Sequence, residues 1–194
     1  MKPEVSQMNP YEKCPVYENE NYLLRLIEAS DAADLLLVYS DEKAVPFFNS
    51  DNCNGDDFHY ATLERMQSAV EFWLQAHTKG WFVRWVIIDK KIGHAIGTIE
   101  LFNRQAKDYF NNCGLLRLDL RSDYERTESI FEILSLIVPP AFELFDYQMV
   151  ATKIPSFASE RKTAVEKLGF ALSEEALVGG DDGKVYKDYY VLQG

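Results

Sequence analysis

Apolar positions recur every second residue in some stretches of this chain and every third or fourth in others, which divides it into elements. Residues 21–27 (NYLLRLI) predict a first strand. EASDAADLLLVYSD then predicts a helix, with Ser30 or Asp31 as N-cap and Ala33, Leu36 and Leu37 on one face. After a loop-rich insertion, ERMQSAVEFWLQAHTKG places Met66, Val70, Trp73 and Leu74 at helical spacing and stops at Gly80.

Residues 81–89 and 94–103 predict two strands joined by the tight KKIG turn. In residues 113–122, Leu116, Leu118 and Leu120 alternate with Arg117, Asp119 and Arg121, a strand with two unlike faces. An apolar helix is expected from Thr127 to Phe145, kinked or split at Pro139-Pro140, where two interior N–H groups are lost. YQMVATKIP predicts a strand, SERKTAVEKLG a helix ending at Gly169, and VYKDYYVLQ a last strand. The order of elements predicts an α+β domain over 21–194, with helices on both faces of one sheet, preceded by an extended lead-in over 1–20.

Composition narrows the function. The 194 residues are 47% hydrophobic and 26% charged, with a formal charge of -11. That balance argues against a nucleic-acid surface, which needs clustered Lys and Arg, and suits an amine ligand better. No stretch is long and apolar enough to span a bilayer, and the N-terminus carries no apolar leader core, so a cytoplasmic protein is expected, as a monomer or homodimer. Cys14, Cys53 and Cys113 form neither a disulfide framework nor a zinc pattern, and His59, His77 and His94 are scattered. No metal is expected. SDNCNGDDFHYA looks like a calcium loop around Gly55, but its first and twelfth positions are Ser50 and Ala61, so it reads as an acidic surface loop.

Two carboxylates stand on strands. Glu100 alternates with Ile99 and Leu101, and Asp119 with Leu118 and Leu120. Either is a solvent-facing side chain, or a candidate base if its face is covered. Tyr186, Tyr189 and Tyr190 are candidate acids or strand packing. RSDYERTESIF, between a strand and a helix, sits where free backbone N–H groups and a helix dipole attract anions. It has no glycine and two glutamates.

VYENENYLLRLIEASDAADLL (with Leu24, Arg25, Asp31 and Leu35), VIIDKKIGHAIGTIEL, LRLDLRSDYE, Glu132 and AVEKLGF, in that order, resemble the GNAT superfamily of acyl-CoA-dependent acetyltransferases. The resemblance is nearest its ribosomal-protein N-acetyltransferase-like branch and runs from about Val16 onward. It implies a mixed, largely antiparallel sheet splayed between its fourth and fifth strands. It also implies acetyl-CoA as co-substrate, seated in the splay, and direct transfer to a small-molecule or protein amine.

On these positions the resemblance implies a thioester and pantetheine seat at Leu118 and Leu120. It implies a phosphate-facing turn at Arg121, Arg126, Thr127, Glu128, Ser129 and Ile130. Glu100 or Asp119 would be the base, Tyr189 an acid, and Phe47, Phe48, Phe58 and Tyr60 a substrate wall. The chain also departs from the pattern. Arg126 and Glu128 replace glycines, Ala158 and Arg161 replace the N-x-x-S pair of the last helix, and Val165 replaces a frequent tyrosine. Two readings follow: a divergent acetyltransferase, or a GNAT-like scaffold that binds a ligand or partner without CoA chemistry.

Overall fold

A computed structural model describes residues 9–194. The strands are β1 (Tyr17–Glu18), β2 (Tyr22–Leu26), β3 (Val83–Asp89), β4 (His94–Arg104), β5 (Cys113–Leu120), β6 (Met149–Lys153), β7 (Ala171–Leu172), β8 (Leu177–Val178), β9 (Val185–Tyr186) and β10 (Tyr189–Gln193). The helices are α1 (Ala32–Tyr39), α2 (Leu63–Thr78), α3 (Thr127–Phe145) and α4 (Ser159–Lys167). Eight strands form one sheet in the order β1-β2-β3-β4-β5-β6-β10-β7, antiparallel except for the parallel β5–β6 pair.

Alternation along the strands sorts the core into two layers. Trp85, Ile99, Leu116, Leu118 and Leu120 pack with Ile130, Ile133, Leu134 and Ile137 of α3 and Ala164 and Val165 of α4. On the other face Val86 packs with Leu35, Val38 and Tyr39 of α1 and Met66, Val70 and Trp73 of α2. Gly97 marks the tightest approach within the sheet, because a Cβ there would collide with the backbone carbonyl of Asp119 on β5.

Several expectations need correction. The buried face of α1 is Ala32, Leu35, Val38 and Tyr39, while Leu37 is exposed, because the LLLV run is apolar all round and packing chose its register. The helix α3 runs unbroken through both prolines. Pro139 lies on the solvent side, where water can satisfy the freed carbonyl, and beyond it Ala141 is buried and Phe142 and Phe145 pack on the core. The expected last strand is two, β9 and β10, parted at Asp188, whose φ is 67°. The lead-in supplies the edge strand β1; its first eight residues lie outside the described ones.

Candidate active site

The fourth and fifth strands of the expected splay are β5 and β6. Their pairing runs from Cys113↔Met149 to Leu116↔Thr152 and stops, although β5 continues to Leu120. The backbone of Leu118 and Leu120 therefore borders a V with no strand on its far side. Residues two apart on a strand point their N–H and C=O groups to the same edge, so Leu118 and Leu120 present these groups to the V.

Arg161 of α4 reaches into it. Its Nη1 donates to the Leu118 carbonyl at 2.8 Å and to the Phe47 carbonyl at 3.1 Å, bridging β5 to the loop after α1. Its Nε and Nη2 hold the Glu125 carboxylate at 2.8 and 2.5 Å. Both partners of that ion pair are buried.

The neighbouring residue closes the second half of the expected seat. The backbone N–H of Thr127, the first residue of α3, donates to Glu160 Oε2 at 2.7 Å, and the Thr127 hydroxyl donates to the same oxygen. A carboxylate from α4 thus sits on the helix N-terminus, where free N–H groups and the dipole favour an anion. That interaction holds the Glu160 carboxyl below the usual range. Arg126 and Glu128 are exposed, Arg121 is tied to Asp123 at 2.6 Å, and Ile130 is core. Ser129 bonds Tyr22.

The other face of β5 carries a buried ion network. Arg84, Glu100 and Arg117 lie directly opposite one another across β3, β4 and β5. Arg84 Nη2 donates to one Glu100 oxygen, and Arg117 Nη1 donates to the other at 2.8 Å. Arg84 Nη1 also reaches Asp119 Oδ2 at 3.1 Å, and the Tyr39 hydroxyl reaches that oxygen at 2.8 Å. Burial alone would raise the Glu100 carboxyl, but Arg84 and Arg117 outweigh it and hold the group below its ordinary value. A carboxylate held this way is a poor proton acceptor. Tyr189 is buried, and burial together with Asp51 raises its hydroxyl, which weakens it as an acid.

Beside this network lies a cleft of about 460 Å³ lined by Phe58, Tyr60, Phe72, Trp73, Arg84 and Arg117, among others. The expected aromatic wall is divided between two places. Phe58 and Tyr60 line this cleft, whereas Phe47 and Phe48 line a smaller one of about 280 Å³ with Lys153 and Phe157, at the end of β6. Among the described residues no group of His, Cys, Asp and Glu side chains is arranged to hold a metal, and no helix is long and apolar enough to cross a membrane.

The acetyltransferase (GNAT) domain description matches residues 21–171. The chain belongs to this family. Among solved structures, a putative ribosomal-protein-serine acetyltransferase from Vibrio cholerae superposes with a TM-score of 0.69 at 12% identity, covering 96% of this chain and 100% of that one. Mycobacterium smegmatis RimJ, in complex with CoA-disulfide, gives 0.70 at 13%, covering 95% and 88%. Ribosomal-protein-S5-alanine acetyltransferase from Vibrio fischeri gives 0.63 at 17%, covering 91% and 94%. No curated protein matches the sequence.

Within this GNAT domain, Leu118, Leu120 and Thr127 border the V and its helix end, while Arg126 and Glu128 of the turn are exposed and Arg121 is tied to Asp123. The expected bases are together, but as members of one ion network. Sequence reasoning missed the roles of Arg161, Glu160 and Glu125. The signal was present for one of them: Arg161 stands where the family's N-x-x-S pattern has its serine. Arg84 gave no signal beyond being a charge within an apolar strand, VRWVIID.

Proposed function

We propose that this domain transfers an acetyl group from acetyl-CoA to an amine, with a donor seat that its own α4 side chains hold in the free protein. The observation that carries this reading is the break in β5–β6 pairing after Leu116↔Thr152, which leaves the backbone edge of Leu118 and Leu120 free of any strand. Two features of the chain fit the donor. The N-terminal end of α3 already holds one carboxylate at Thr127, the kind of charge a phosphate would bring. The V edge already holds one donor group, the Arg161 guanidinium, against the Leu118 carbonyl.

Acetyl-CoA, when bound, supplies the activated thioester. Thr127 and the first turn of α3 would hold its phosphates in place of Glu160, and the Leu118 and Leu120 N–H groups would face its acyl arm. Arg161 must then leave the Leu118 carbonyl. Neither Glu100 nor Asp119 is free to take the amine proton, so the acceptor arrives neutral or loses its proton to water. Turnover should accordingly rise with pH through the acceptor's own amine pKa, with no limb near that of a carboxylate.

A second reading is favoured by the same two α4 residues. A buried Arg161–Glu125 pair fixed to Leu118, and a carboxylate fixed to Thr127, make the seat self-sufficient, as befits a ligand-binding scaffold. CoA release from acetyl-CoA, followed with a panel of primary amines, separates the two. Acceptor-dependent release by the wild type, enhanced in Arg161→Ser, supports transfer. Release from neither protein supports the scaffold.

A further inference from the structure

The cleft on the α1–α2 face has an uneven account of donors and acceptors. Its inner carboxylates are paired, Glu100 by Arg84 and Arg117, and Asp56 by Arg65 at 3.0 Å and the Tyr60 hydroxyl at 2.9 Å, while Asp181 on the exposed rim accepts from the Asn52 amide at 3.1 Å. Its aromatic faces are already occupied by internal cations. The Arg84 guanidinium lies 4.1 Å over the Trp73 ring, and that of Arg65 lies 4.2 Å over Tyr60. A cationic ligand entering the cleft would find the inner carboxylates already paired and few free ring faces, with only Asp181 at the exposed rim left to meet it.

What the lining lacks is acceptors. The Nε–H groups of Arg84 and Arg117 are both buried, and neither has a hydrogen-bond partner in the protein. Arg84 uses Nη1 and Nη2, and Arg117 uses Nη1 on Glu100 and Nη2 on the Asp51 carbonyl at 3.1 Å. Arg84 is 1% exposed, and both arginines line the cleft. Buried donors without partners are costly, and two on adjoining side chains of one cavity point to a bound group that completes them. Phe58, Phe82 and the half-exposed Phe72 supply an apolar wall beside them.

We propose that this cleft binds a small organic molecule with an apolar body and an sp² acceptor oxygen, carboxylate or carbonyl, that takes the Nε–H groups of Arg84 and Arg117. The inference deepens the acceptor side of the proposed reaction. Its test contains no acetyl-CoA, so it succeeds or fails apart from acyl transfer.

Three probes of one shape decide the chemistry: 3-phenylpropanoate, 3-phenylpropanamide and 3-phenylpropylamine, titrated into the full chain by calorimetry. The carboxylate or the amide should bind about tenfold or more tighter than the amine, and the order of those two tells whether charge adds to the oxygen. Nitrogen-edited NMR of the arginine side chains should show the Arg84 and Arg117 Nε–H resonances, each assigned by its loss in the Lys variant, shifting on addition. Phe72→Ala, on the half-exposed wall, keeps the fold testable and should weaken binding severalfold. An amine that binds as tightly as the other two, no binding by any probe, or Nε–H resonances that do not move would each overturn the proposal.

Discussion

The two faces of β5 satisfy their buried charges in different ways. On the α3–α4 face, the charged side chains of α4 beside the V meet partners from the same chain: Arg161 takes Glu125, the Leu118 carbonyl and the Phe47 carbonyl, and Glu160 takes Thr127. On the α1–α2 face, three arginines and three carboxylates pair up around an open cleft, yet two arginine N–H groups remain over. A self-complementary face must be opened before it can bind anything. A face with surplus donors needs only a shift of its buried arginine side chains before a ligand can reach them.

The largest expected effect comes from breaking the α1–α2 network at its centre. Arg84→Leu leaves Glu100 and Asp119 buried without their shared cation, which should cost about 3–5 kcal/mol in urea unfolding. The same network sets an acid limb. The Glu100 carboxyl is held below its ordinary value of 4.5, so its contribution is complete above that pH and is lost as pH falls through the lowered folded value. Glu100→Gln should therefore be less stable at neutral pH and show a flatter decline on acidification. A variant with the wild-type slope would assign the limb to other groups.

On the opposite face, Arg161→Ser should separate two quantities. It strands the buried Glu125 and frees the Leu118 carbonyl, lowering stability by about 2 kcal/mol while tightening acetyl-CoA roughly tenfold. Stability lost without any gain in affinity would mean that the residue is scaffold alone. Glu160→Gln acts at an exposed position and removes only the competing charge. Its gain in acetyl-CoA affinity should be a few-fold and should shrink as salt rises. Smallest of all is Glu128→Gly. Its side chain is exposed, so relieving its charge should change affinity by less than about twofold, partly cancelled by the helix propensity lost.

Much of the fold was legible because apolar runs mark β3, β4 and β6, polar and apolar residues alternate in β5, and a 3.6-residue period survives in α2 and α3. The failures have physical causes. The LLLV run of α1 is apolar on every side, so only the sheet could choose its inward face. The prolines were expected to kink or split α3, because the sequence does not tell that Pro139 meets solvent, where its freed carbonyl can find water.

At the site, the seat at Leu118 and Leu120 came from the family resemblance, whereas the state of each carboxylate was not legible at all. Glu100 reads the same whether it faces water or two arginines, since Arg84 is 16 residues away along the chain and Arg117 is 17. The aromatic loop was read as one wall because its members are close in sequence; the turns at Asn52, Asn54 and Phe58, all with positive φ, part them.

The central claim is that a functional donor seat lies beneath Glu160 and Arg161. Calorimetric titration of acetyl-CoA into the wild type and into the Glu160→Gln/Arg161→Ser double variant, at low salt, tests it most directly. The account predicts weak or undetectable binding by the wild type, and saturable binding at least about tenfold tighter by the variant. A folded double variant that binds acetyl-CoA no better than the wild type would contradict it.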